Sequence, residues 1–101
     1  MLSADLEGRE VFDTNGTRVG HIGGVMVDPQ GSIFLVLERG GFLGRKRLLS
    51  LDRFALSSDD DRLVVWNLTD HDIRRMADWD ESIGSYAPAA SDSPVNITHG
   101  V

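Results

Sequence analysis

Residues 18–39 read RVGHIGGVMVDPQGSIFLVLER, and the fold follows from how this stretch pairs with itself. Two apolar runs flank Asp28-Pro29-Gln30-Gly31, where proline presets φ and glycine accepts a positive φ, so the chain reverses and the runs form a hairpin. In the second run Ile33, Leu35 and Leu37 fill one face while Phe34 and Val36 load the other. Both faces of that strand must therefore be covered, by the C-terminal helix, by the tail or by a second copy of the chain. In the first run strict alternation would set Ile22 opposite Val25 and Val27. One extra residue at Gly23-Gly24 brings all three to one side, so a β-bulge is expected there.

Outward from the hairpin the same signals recur. Glu10-Val11-Phe12 is a short strand, and the following Asp13-Thr14-Asn15-Gly16-Thr17 carries an Asn-Gly turn that leads into the hairpin. Leu48, Leu49 and Leu51 mark a fourth strand and Phe54-Ala55-Leu56 a fifth. A polar turn at Ser57-Ser58-Asp59-Asp60-Asp61 precedes a sixth strand, which pairs Leu63 with Val65 on one face and Val64 with Trp66 and Leu68 on the other. Thr69-x-x-Asp72 resembles a capping box and starts a short helix, whose stripe Ile73, Met76 and Ala77 is expected to lie on the outer face of the sheet. From Ser82 the composition turns to Ser, Ala, Pro, Asp and Gly. Residues 1–81 are thus read as one domain and 82–101 as a flexible tail, with Tyr86 and Ile97 as transient docking points.

Composition bounds the function. At 101 residues the chain has room for one core, and a formal charge of −6 repels phosphate backbones and anionic lipid. No apolar run approaches the roughly 20 residues of a membrane span, no secretory signal is visible, and cysteine is absent. A cytoplasmic protein without disulfides or transmembrane segment is expected.

No residue set points to chemistry. His21, His71 and His99 have no metal-ligand spacing, and no serine sits in a GxSxG elbow. Asp70-His71-Asp72 fits the acidic start of a helix. Gly40-Gly41-Phe42-Leu43-Gly44 runs into Arg45-Lys46-Arg47 and a strand, not into the helix that a phosphate cradle needs. The three consecutive aspartates lack the alternation of a calcium loop. The expectation is a non-enzyme with no catalytic residues, cofactor or metal.

Several of these stretches together resemble the PRC-barrel domain, over about Leu6 to Asp80. They are Gly8-x-x-Val11-x-Asp13, Gly20-x-Ile22-x-x-Val25-x-Val27-Asp28, the apolar third strand, GGFLG, and Leu68-Thr69 before a helix. Where that family often has Val-Pro-Trp in the fourth strand, this chain has Leu49-Ser50-Leu51, a departure that bears on the local bend and not on the fold. The resemblance implies an all-β fold, a small barrel of about six strands with one short C-terminal helix and no catalysis. It is similar in this to the cytoplasmic domain of the photosynthetic reaction-centre H subunit and the C-terminal domain of a ribosome maturation factor, both of which bind other proteins.

The expected function is a protein-binding or self-associating module that forms a homodimer or higher oligomer and takes a protein partner. Phe34, Val36 and Trp66, with Phe42 and Leu43, are the expected contacts because they are apolar in excess of one core. The alternative is a ribosome- or RNA-associated role in which Arg45, Lys46 and Arg47 meet an anion. Nucleic acid is otherwise not expected as a partner.

Overall fold

The computed structural model describes residues 1–40 and 44–99. Among them lie seven strands: β1 (Glu10–Phe12), β2 (Arg18–Val27), β3 (Ile33–Arg39), β4 (Arg45–Ser50), β5 (Phe54–Leu56), β6 (Leu63–Val65) and β7 (Ala87–Pro88). A 3-10 turn occupies Leu51–Arg53, and the helices are α1 (Ser3–Leu6) and α2 (Asp70–Arg74). One curled sheet runs in the order β4-β3-β2-β1-β6-β5, with β7 beside β2. β1 and β6 are parallel, and the other pairings are antiparallel. The expected all-β fold is what these residues build, with the sheet curled into a half-barrel.

The hairpin between β2 and β3 closes as its turn residues dictate. The Asp28 carboxylate accepts from the backbone N–H groups of Gln30 at 3.0 Å and Ser32 at 2.8 Å, and Gly31 takes φ +85°. The bulge falls where the apolar pattern demands it: Ile22 pairs with Leu37 and Gly24 with Val36, which leaves Gly23 over. Ile22 and Val25 consequently enter one core with Leu35, Leu37, Leu63 and Val65. Two residues before Ile22, Gly20 sits at φ +154°, where an added Cβ would lie 2.3 Å from the Glu38 carbonyl oxygen, so β2 and β3 approach closely here.

Asp13 ties the first turn to the end of the barrel. It is buried, and its carboxylate accepts from Asn15 and Thr17 N–H at 2.9 Å each and from the Asp70 N–H at 3.3 Å. Thr69 and Asp72 exchange the reciprocal capping-box bonds, at 3.2 Å from Asp72 N–H to the Thr69 hydroxyl and 3.0 Å from Thr69 N–H to the Asp72 carboxylate. The Thr69 backbone N–H, and after it the Thr69 hydroxyl, hold the Asp72 carboxyl below its ordinary pKa.

The helix does not take the expected position on the outer sheet face. Ile73 is fully buried in the inner core and Met76 packs against it, while Ala77 is exposed. A five-residue helix presents little more than one inward turn, so it plugs the barrel end. Leu68 also joins the inner cluster rather than the outer one, because Asn67 at φ +54° turns the chain after β6.

The outer face of β3 is covered by the segment that follows the helix. Phe34, Val36, Met26 and Leu48 pack with Trp79 and Tyr86. Tyr86 meets the Phe34 ring edge-on at 5.1 Å and the Trp79 ring at 6.1 Å. Trp79 donates its indole N–H to the Ile83 carbonyl at 3.1 Å and its backbone N–H to the Lys46 carbonyl at 2.8 Å.

The stretch read as a flexible tail lies against the barrel over its described residues 82–99. β7 pairs with β2, Val95 is fully buried in the inner core, and Ser93, Val95 and Thr98 bond to Ser3, Met1 and Leu56. A low apolar content hides these contacts, since one buried valine and backbone pairing to strand edges give no compositional signal.

Candidate interaction surface

The residues expected to make contacts separate into three environments. Val36 is 4% exposed beneath Trp79 and Phe34 is half-buried against Tyr86, so the chain's own strap occupies that face. Phe42 and Leu43 lie outside the described residues. Trp66, half-buried like Phe34, is the one of the described set that packs in neither core cluster.

Trp66 lies just past β6, its backbone N–H held by the Arg53 carbonyl at 2.6 Å. This bond fixes its position against the 3-10 turn Leu51–Arg53. Unlike that of Trp79, its half-buried indole has neither a ring partner nor a hydrogen-bond acceptor among the described residues. Trp66 lines two hollows. The larger, about 530 Å³, has apolar walls from Ile33, Leu51 and Phe54 and a rim of Ser32, Ser50, Asn96 and Thr98. The smaller, about 430 Å³, adds Arg53 and Asn67, and Asp52 lines both. A partly buried tryptophan with apolar walls and a polar rim has the anatomy of a contact centre.

The basic triplet does not form an open anion surface. Arg47 shares the strand face of Leu49, and its side chain is 2% exposed, with Nη2 3.2 Å from the Arg74 carbonyl and 3.8 Å from Asp78. Its Nε and Nη1 have no hydrogen-bond partner among the described residues. Arg45 lies 3.8 Å from Asp78 and Lys46 lies 3.7 Å from Glu81. Each residue of the triplet thus lies within 4 Å of an acidic residue of the segment after the helix.

The ionisable residues that drew attention in the sequence stay apart. His21 faces Glu38 at 3.4 Å and His99 faces Asp61 at 3.1 Å, while His71 is exposed on α2. Asp60, in the three-aspartate turn, is engaged by the Ser57 hydroxyl and the Arg62 backbone, which lower its pKa. Ser82 does the same for Asp80. Arg62 also lies 4.2 Å over the Phe12 ring.

Sequence reasoning picked Trp66 on its apolar excess but missed the hollows beside it. They depend on the 3-10 turn and on Asn96 and Thr98 from the far end of the chain. No helix among the described residues is long and apolar enough to cross a membrane. In comparison with known families, residues 1–72 match the model of the PRC-barrel domain. A search of curated proteins found no match.

Proposed function

Since the chain belongs to the PRC-barrel domain family, we propose that it is a non-enzymatic protein-binding module whose contact surface is centred on Trp66. The observation that carries this reading is the contrast between the two aromatic sites. The Phe34 face is closed by Trp79 and Tyr86 of the same chain, whereas Trp66 lines two hollows and its indole ring and indole N–H have no partner among the described residues. An aromatic anchor in a polar rim supplies a binding hot spot at small entropic cost, because few rotors are immobilised.

Self-association through this surface is the same reading with a second copy as the partner. The ribosome- or RNA-associated role is not favoured by the geometry, because Arg47 is buried and Arg45 and Lys46 are each within 4 Å of an acidic side chain.

The test is quantitative affinity capture with wild type and Trp66→Lys, each first shown by thermal melting to be folded, together with light scattering on both. Proteins retained by wild type and depleted on the variant, or a dimer that the variant dissociates, are the expected results. An identical capture profile from two monomeric proteins would refute the Trp66 surface.

A further inference from the structure

The larger hollow beside Trp66 has a single charged lining residue, Asp52. Asp52 has no ion-pair or hydrogen-bond partner among the described residues, which sets it apart from the paired acids at Asp70, Asp78 and Glu81. The walls Ile33, Leu51 and Phe54 suit an aliphatic stem, and the indole face suits a cation laid across it. The hydroxyls of Ser32, Ser50 and Thr98 can accept the remaining N–H groups of such a head. The chain's net charge of −6 acts in the same direction at long range.

Resting on the protein-binding reading, we infer that this hollow receives an arginine or lysine side chain from a partner protein, its stem along Leu51 and Phe54 and its charge between the Trp66 ring and the Asp52 carboxylate. Arg53 lines only the smaller hollow, so Asp52 is the one charge among the residues lining the larger.

The test uses the full chain labelled with ¹⁵N and follows the two indole N–H resonances, assigned with Trp79→Phe. The probes are the blocked tripeptides acetyl-Ala-Arg-Ala-amide and acetyl-Ala-Lys-Ala-amide, with acetyl-Ala-norleucine-Ala-amide as the neutral control. Saturable movement of the Trp66 resonance by the basic peptides, none by the neutral one, and a weakening of about fivefold in Asp52→Asn are expected, the loss of one exposed ion pair. Equal response to the neutral peptide, unchanged affinity in Asp52→Asn, or no movement would overturn the proposal. Movement with protein concentration alone would assign the hollow to a second copy and likewise overturn it. If the basic peptides fail while capture still depends on Trp66, the cationic ligand falls and the binding module stands; if both fail, both fall.

Discussion

Arg47→Met is expected to stabilise this protein, although it deletes an ion pair and a hydrogen bond. The guanidinium is 2% exposed, and two of its nitrogens, Nε and Nη1, lack partners among the described residues. Each forfeits about 1–3 kcal/mol of hydration. Against this stand one charged hydrogen bond to the Arg74 carbonyl at 3.2 Å, worth about 1.5–3 kcal/mol, and a 3.8 Å approach to Asp78. Asp78 is 57% exposed, so that approach contributes at most about 1 kcal/mol. Methionine keeps the apolar stem and removes the charge. The net is a gain of about 1–2 kcal/mol, and the Asp78 carboxylate left behind is 57% exposed and keeps its hydration. Urea denaturation followed by tryptophan fluorescence should show a higher midpoint at unchanged slope, and Tm should rise by about 4–8 °C per kcal/mol. Asp78→Asn, which gives up the 3.8 Å approaches to both Arg47 and Arg45, should lower the stability by no more than about 1 kcal/mol. If Arg47→Met loses more than about 1 kcal/mol, the unpartnered nitrogens are satisfied in solution and the argument fails.

Four further outcomes follow from the packing. Trp79→Ala should cost about 3–5 kcal/mol and expose Phe34 and Met26, read as increased binding of a hydrophobic dye. Gly20→Ala should cost about 3 kcal/mol or more, since its Cβ meets the Glu38 carbonyl at a positive φ, while Gly23→Ala, whose Cβ meets only the movable Glu38 carboxylate, should cost less than half of that in the same denaturation assay. Val95→Asp should destabilise by at least about 3 kcal/mol because it buries an unpaired carboxylate in the core; an unchanged melt would show that residues 82–101 are not part of the folded unit. Asp60, Asp72 and Asp80 have pKa values lowered in the fold, so their contribution is present above about pH 4 and is lost as pH falls through their depressed values. In an acid titration, Thr69→Ala should shrink the loss below pH 4 only in part, because it removes the hydroxyl contact to Asp72 and keeps the backbone N–H bond that depresses Asp72 most.

The strand register was legible because it rests on period two. Ile33, Leu35 and Leu37 alternate with Phe34 and Val36, and the bulge at Gly23 is required to bring Ile22 and Val25 into one core. The capping box was equally local. What the sequence did not disclose depends on contacts between distant residues. Trp79, Tyr86 and Val95 are isolated apolar residues in polar surroundings, and only the outer face left open on β3 indicates that something must return to it. Arg47 was misjudged as surface although the alternation in RKRLLS sets it beside Leu49, facing inward. Trp66 could be picked out, but not the hollows it lines.

The parallel pairing of β1 with β6 joins residues 11 and 63 and governs the order of assembly. The β2–β3–β4 meander closes through turns between chain neighbours, within microseconds to milliseconds, whereas β1 finds β6 only after a long loop has been closed at an entropic cost. Until then Leu35 and Leu37 face an unfinished core. Closure of the β1–β6 contact is therefore the slow step this topology predicts, and the hairpin at residues 18–39 is the template on which it forms.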